Sequence, residues 1–535
     1  MRTLLLLLFL TSGLECAAQD LFKSIYDSSG GGIGGSAIIK NNDGTYTVLG
    51  KGDQFKMMHL DSAGNLSWTE SINATNIQLD EDMAADAMSD STFIIASTGY
   101  KTNNPAIYYK YDIILAKVDI NGNALWVKSF GSKTSQQQLH NLKHTTDGGF
   151  IVVADKSDSL YGAFATKAYV VKLDPGGNIE WSKGYDRPLY IDIAYDVAET
   201  GNGFVIVGTT DSSTINVGSS GFMIKTDKQG NTAWHKGYSA PLGIVKSVLK
   251  DGDFFVLGGC SVRHDWADTP GDAVLLKTDS NGNAIWTKQY HFDHRSEATK
   301  VIKASDGVYL ILGIYGHQIN TYHGNDRCFL VKTDSSGNIQ WCKIYGGSAL
   351  LYTGNSVQQL LNGGYLININ YFSSAPVMLT IGTDSLGNNS GMCVDTANPN
   401  VYSPVIQGSN IAFPEENYSD TAFSAQFSVD SYFLKVVDSC NIWPPPYVKV
   451  PNIQATKSFV NLYPNPSVGI INIETDIKNY EVEVVNALGI KVLVRKANAN
   501  KLTIDMTQYP PGFYTCLIRT NDNAIQARCF ILSTK

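Results

Sequence analysis

The chain has 535 residues, 43% of them hydrophobic and 17% charged, with a formal net charge of −8. That length allows several domains with real cores, and the low charge fraction suits a chain whose many turns are filled by Gly, Ser, Asn and Thr. The negative balance, with no basic stripe, argues against a nucleic-acid partner and against electrostatic docking on anionic lipid.

Residues 1–18 read as a signal peptide: Arg2, an apolar run over 4–10, then small residues ending at Ala17 and Ala18. The run is too short to span a bilayer. No later stretch is long and apolar enough, so an exported chain without a transmembrane segment is expected. Residues 21–26 look like the last strand of a repeat, because Phe22 and Tyr26 are spaced as Trp341 and Tyr345 are. The Gly-rich stretch 30–35 joins strands and opens no helix, so it reads as a connection and not as a phosphate cradle.

From there the chain repeats. Asp-x-x-Gly-Asn starts at Asp61, Asp119, Asp174, Asp227, Asp279, Asp334 and Asp384, at steps of 58, 55, 53, 52, 55 and 50 residues. Steps of that size mark solenoids, propellers and arrays. A tryptophan follows six copies at one offset (Trp68, Trp126, Trp181, Trp234, Trp286, Trp341), and Gly391 stands there in the seventh. Each motif predicts a tight hairpin with its glycine in the left-handed region. A second hairpin precedes it, as at Asp147-Gly-Gly. Four antiparallel strands per unit, seven units long, predict an all-β fold with a seven-bladed β-propeller over 19–390. The N-terminal strand is expected to complete the last blade and so remove exposed edges.

Residues 391–456 change character, with Pro399, Pro404 and Pro414 in a Ser/Asn/Thr-rich setting and a stiff Trp443-Pro-Pro-Pro-Tyr447 spacer. This is read as an extended segment covering the edge of the last blade, followed by a Pro-rich linker. Cys393 and Cys440 bracket it, and in an exported protein they are expected to form a disulfide.

Residues 457–535 carry Asn461-Leu-Tyr463-Pro464-Asn465-Pro466, then Asn486-Ala-Leu-Gly489, then Tyr509-Pro-Pro-Gly512-Phe-Tyr514. In order and in position these resemble the type A C-terminal sorting domain of the type IX secretion system, with Asn486 where that family often has Asp. The resemblance implies a small β-sandwich recognised by the secretion machinery at the outer membrane, usually cleaved and exchanged for a lipopolysaccharide anchor. It places the protein outside the cell or on the outer-membrane surface. Cys516 and Cys529 flank a turn near Asp522 and are expected to face each other across a hairpin.

Binding residues concentrate on long loops over a rigid scaffold, here 100–111, 156–167, 211–221, 261–272 and 315–327. Their aromatics Tyr108, Tyr109, Tyr161, Trp266 and Tyr322 suit surface glycans or protein partners, or else pack the loops onto the blades. Five of the nine histidines fall within 60 residues. His264, Asp265, His291, His294, His317 and His323 are the metal candidates of that window, but their spacing fixes no ligand geometry and solvated loop histidines are favoured. The Asp-x-Asn-Gly-Asn forms at Asp119 and Asp279 lack the distal Glu of a calcium loop. No nucleophile motif is present, and no cofactor is expected. The reading is an exported, surface-delivered binding or adhesion module. The alternative is a secreted polysaccharide-active hydrolase or lyase with its site on the long-loop side.

Overall fold

The computed structural model describes residues 22–437 and 460–533 apart from internal stretches, the longest being 28–33, 102–110, 158–165, 213–218, 262–270 and 317–326. It divides into two compact units, 1–444 and 445–535. Among the described residues every regular element is a β-strand, and no helix is long and apolar enough to cross a membrane.

The repeated turn explains the repeated sequence. In the six copies from Asp119 to Asp384 the glycine has φ between +74° and +85°, where an L side chain is strained. The Asp backbone N–H donates to the carbonyl of the following Asn at 2.8–2.9 Å, closing the loop. Asp279 shows the side-chain part: its Oδ1 accepts the N–H of Asn281 and of Asn283, and its Oδ2 accepts the Asn283 amide. A carboxylate and an amide at this spacing thus satisfy donors that the turn would otherwise leave open.

Each turn from Asp119 to Asp334 closes the last hairpin of a set of four antiparallel strands, called a sheet below, and the third and fourth sets are also bridged in parallel at Thr166 and Ile191. Sheet 1 contains Gly34–Lys40, Tyr46–Lys51, Phe55–Leu60 and Leu66–Ala74; sheet 2 contains Ile77–Ala87, Thr92–Lys101, Asp112–Asp119 and Ala124–Gly131. Sheet 3 follows with Gln136–His144, Phe150–Ser157, Thr166–Leu173 and Ile179–Tyr185, and sheet 4 with Tyr190–Thr200, Gly203–Ser212, Ser220–Thr226 and Thr232–Tyr238. Sheet 5 is Ile244–Asp251, Phe254–Cys260, Ala273–Thr278 and Ala284–His291; sheet 6 is Arg295–Lys303, Tyr309–Gly316, Arg327–Thr333 and Ile339–Tyr345. Sheet 7 takes Leu351–Gln359, Tyr365–Phe372 and Pro376–Thr383 from the end of the repeats and Phe22–Asp27 from the start of the chain, with Ile25 opposite Met378.

Second strands are continuous apolar runs because both of their faces are covered. Ile151 and Val153 join a buried cluster with sheet 4, while Phe150, Val152 and Ala154 join one with sheet 2, following the two-residue alternation of a strand. Seven such clusters lie between consecutive sheets, the last one pairing Ile38 and Val48 of sheet 1 with Leu366 of sheet 7. First strands touch in the same succession, and the first strand of sheet 7 touches that of sheet 1.

The segment after the repeats is not confined to the last sheet. Val394–Thr396 pairs with the fourth strand of sheet 6, Asn400–Tyr402 with that of sheet 5, and Gly408–Ser409 with that of sheet 4. Glu415–Asn417, Thr421–Ser424 and Phe427–Ser431 continue to sheets 3, 2 and 1, and Leu434–Val437 ends on Phe22–Asp27 of sheet 7. One strap therefore gives every sheet an antiparallel fifth strand, in reverse chain order. A fourth strand left bare would present a row of unpaired N–H and C=O groups, so each short segment has the same reason to pair.

In the C-terminal unit Val460–Tyr463, Ile470–Thr475 and Lys501–Asp505 form one sheet, and Tyr480–Asn486, Lys491–Ala497, Gly512–Thr520 and Ile525–Leu532 another. Both bury residues in one cluster that includes Ile471, Ile473, Val482, Val484, Ile504 and Ile518. Here the sequence expectation for the cysteines fails. Cys516 lies opposite Arg528 and Cys529 opposite Thr515, so a one-residue offset in register prevents the two from being cross-strand partners.

Candidate functional site

Of the residues singled out from sequence, Tyr108, Tyr109, Tyr161, Trp266, Tyr322, His264, Asp265, His294, His317 and His323 lie outside the described residues, as do Cys393 and Cys440. His291 is described. Its Nδ1 lies 3.0 Å from Asp272 Oδ1, and its ring centroid lies 6.1 Å from that of Tyr402 in the strap. Asp272 also accepts from Gln289 at 2.6 Å. Among the described residues no group of three or more His, Cys, Asp or Glu is disposed to hold a metal. Cys260, Cys328 and Cys342 are buried thiols; burial pushes all three up, Cys342 to about 12, which makes them poor nucleophiles.

In the sorting motif, Tyr463 is partly exposed with its hydroxyl 3.2 Å from Glu474, and Pro464 follows it at the surface. Gly512 opens a strand, and buried Tyr514 donates to the Pro510 carbonyl at 2.7 Å. Asn465, Pro466 and Gly489 are outside the described residues.

The first strands hold a feature that sequence reasoning missed. Each of the seven carries a register shift against its neighbour, at Ser36, residues 80–82, His140, Tyr195, Lys246, Thr299 and Asn355. A bulge inserts an extra residue and re-aims its side chain. Every bulged position is polar, yet no two are alike among the five single residues from His140 to Asn355. Turns, tryptophans and glycines repeat around the sheets, whereas this level does not.

Three consecutive members, His140, Tyr195 and Lys246, are in contact. His140 Nε2 lies 3.1 Å from Asp155 Oδ1, and its ring meets that of Tyr195 edge-on at 4.9 Å. Lys246 Nζ sits 3.6 Å over the Tyr195 ring and 3.8 Å from Glu297 Oε1, whose other oxygen lies 3.4 Å from Arg295. Burial pushes the Tyr195 hydroxyl up. Burial also opposes the charge on Lys246, but Tyr195 and Glu297 outweigh it and hold the ammonium above its usual range. Imidazole, phenol and ammonium on three consecutive first strands can bind an anion and hold or move a proton.

Next to this level lies a charged tier. Asp196 is 1% exposed and accepts from Asn141 at 2.6 Å and from the Val248 N–H at 2.9 Å, tying sheets 3, 4 and 5. Asp86 accepts from the His144 backbone and ring at 3.0 and 2.9 Å. Lys300 Nζ of sheet 6 stands 3.8 Å from Asp196 Oδ2, and burial opposes the charge on Lys143 of sheet 3 while Asp86 and Asp196 outweigh it and hold that ammonium above its usual range. Strands surround Lys300, yet 25% of its side-chain surface stays accessible. The signal available in sequence was the break in alternation at Tyr195-Asp196 and Thr299-Lys300, inside strands otherwise built to be buried.

Residues 461–532 match the family of secretion system C-terminal sorting domains. The protein therefore carries a C-terminal type IX secretion sorting domain attached to a large all-β N-terminal unit, and it is secreted to the extracellular surface. No curated protein sequence matches the chain. Among solved structures it is similar to a Bacteroides caccae protein of unknown function, with 11% identity, coverage of 50% of this chain and 92% of that one, and a TM-score of 0.29. An exo-β-1,3-galactanase from Clostridium thermocellum gives 13% identity, 67% and 91% coverage and a TM-score of 0.29. PorZ, a surface component of the type IX system of Porphyromonas gingivalis, gives 9%, 96% and 100%, with a TM-score of 0.16. Scores this low carry no argument about this chain.

Proposed function

We propose that this protein is an exported binding or adhesion module, with seven blades of a β-propeller over 19–390, a strap from 391, and a β-sandwich sorting domain from 457 that engages the type IX machinery. The observation that supports it most is the split between repeated and unrepeated residues. Scaffold chemistry is the same from sheet to sheet, while the polar bulge residues differ on every strand. A rigid frame carrying an asymmetric polar collar is how a repeat fold presents a site. Surface glycans or surface proteins are the proposed partners.

The polysaccharide hydrolase or lyase reading rests on the run Asp155, His140, Tyr195, Lys246, Glu297, which has the residue types of general acid–base catalysis. One experiment separates the two. The intact chain is incubated with immobilised polysaccharides and surface glycans, and both retention and released fragments are measured. Retention without fragments supports the binding module, release of fragments supports the enzyme, and neither one points to a protein partner.

A further inference from the structure

We propose that Lys246, Glu297 and Arg295 form a seat for a neutral saccharide, held through hydroxyl groups on adjacent carbons. This rests on the binding-module reading and deepens it by naming the class of glycan.

Charge is matched on these strands, while hydrogen bonding is not complete. Ion pairs on the turn side are close: Lys172 reaches Asp147 at 2.9 Å and Glu180 at 3.0 Å, Lys277 reaches Asp251 at 3.0 Å, and Lys332 reaches Asp306 at 2.7 Å. Pairs on the first strands are longer, with Lys246 to Glu297 at 3.8 Å, Arg295 to Glu297 at 3.4 Å and Lys300 to Asp196 at 3.8 Å. A good N–H···O bond spans about 2.7–3.2 Å. Along the run Asp155, His140, Tyr195, Lys246, Glu297, Arg295, two carboxylates therefore balance two cations without filling their hydrogen bonds.

Balanced charge gives an ionic ligand little advantage. Donors and acceptors standing side by side suit a group that does both, and a sugar hydroxyl donates to a carboxylate while accepting from an ammonium or a guanidinium. Glu297 has one cation beside each oxygen, Lys246 at Oε1 and Arg295 at Oε2. Two hydroxyls on adjacent carbons can thus each bridge one oxygen and one cation. Side-chain exposures of 28% for Lys246 and 33% for Arg295 leave both cations reachable, while Glu297 at 10% is mostly covered. Beside them Tyr195 keeps its proton, because burial pushes the hydroxyl up, and the Lys246 ammonium lies 3.6 Å over its ring. The phenol adds a neutral donor to the seat.

The probes are hexaoses of glucose, galactose and mannose, their permethylated forms, oligogalacturonate and a sulfated galactose oligomer, titrated calorimetrically into the intact chain. A neutral hexaose should bind and its permethylated form should not. Its affinity should change less than about twofold between roughly 0.05 and 0.5 M salt, because no net charge is exchanged. Glu297→Gln and Lys246→Met should each weaken it roughly tenfold or more, as loss of a charge-assisted bond does. Tyr195→Phe keeps the ring beneath the ammonium and should weaken it about threefold. Denaturation midpoints identify a variant that fails to fold, in which case Tyr195→Phe carries the test. Tighter binding of an acidic probe, affinity that falls steeply with salt, or neutral binding unchanged in the variants overturns this inference and leaves the binding module standing. Binding of none of the probes overturns the glycan partner as well.

Discussion

Trp286 of sheet 5 fills the space where a side chain on Gly337 of sheet 6 would stand: a Cβ there would lie 3.0 Å from the ring and 2.8 Å from Lys288 Cγ. The same relation links Trp126 with Gly177, Trp181 with Gly230, Trp234 with Gly282 and Trp341 with Gly387. Glycine is thus required twice at the turn, for its φ of +78° and for its neighbour's ring. Gly337→Ala is expected to destabilise the N-terminal unit by about 2 kcal/mol, read as a lowered denaturation midpoint. An unchanged midpoint would mean that the ring does not pack there.

A second tie runs beside the first. Tyr290 is buried and donates to the Gly337 carbonyl at 2.8 Å, as Tyr185, Tyr238 and Tyr345 do to Gly230, Gly282 and Gly387 at 2.7–2.8 Å. Tyr290→Phe leaves that carbonyl without its donor and should cost about 1 kcal/mol, up to 2. Sheet 2 has Phe130 at the equivalent place, and Phe130→Tyr tests whether a hydroxyl there stabilises.

Carboxylates set two opposite pH trends. Burial is the largest single influence on Asp174, Asp227, Asp279 and Asp334 and raises them, but the hydrogen bonds they accept, chiefly from Asn178, Asn231, Asn283 and Asn338, together outweigh it and hold them below the usual range. Their contribution is full above an unfolded carboxyl value of about 3.9 and is lost as pH falls through their folded values. Unfolding midpoints should fall steeply below about pH 4, and Asp279→Ala should flatten that fall.

Asp192 runs the other way. It is fully buried at the start of the first strand of sheet 4, accepts the Arg187 N–H at 2.7 Å, and burial pushes it up to about 6. The folded state then resists losing its proton, so this group costs stability as pH rises from about 4 through 6. Asp192→Asn should raise the midpoint more at pH 8 than at pH 4; the reverse order would contradict the shift.

The strap is anchored where it crosses sheets 3 and 4. Tyr418 packs edge-on against Tyr169 at 5.6 Å, beneath the Lys156 ammonium at 3.7 Å, while Glu415 and Glu416 pair with Lys183 and Lys167 at 3.0 and 2.6 Å. Tyr418→Ala should speed amide exchange along Ile179–Tyr185 while leaving the turn amides of that sheet protected. Uniform exchange change across both would show that the strap is not an independent edge strand.

The repeats were legible because their turn chemistry is local: Asp, Gly and Asn within five residues determine the hairpin wherever it occurs. Tryptophan spacing was visible too, though its partner in the next sheet was not. The strap was illegible because segments such as Gly408–Ser409 have no pattern of their own and take their structure from a neighbouring edge. The bulged first strands were hidden for another reason. One inserted residue at Tyr195 or Lys246 shifts the two-residue alternation, so polar side chains meant for one level read as scattered exceptions. In the C-terminal unit the same one-residue sensitivity undid the expected meeting of Cys516 and Cys529.

Seven sheets and one returning strap are proposed to make a closed ring around the polar collar. Electron-microscopic class averages of the intact chain test it most directly. End-on views with seven lobes and no gap between the first and the last are expected. An open arc, or any other number of lobes, would contradict it.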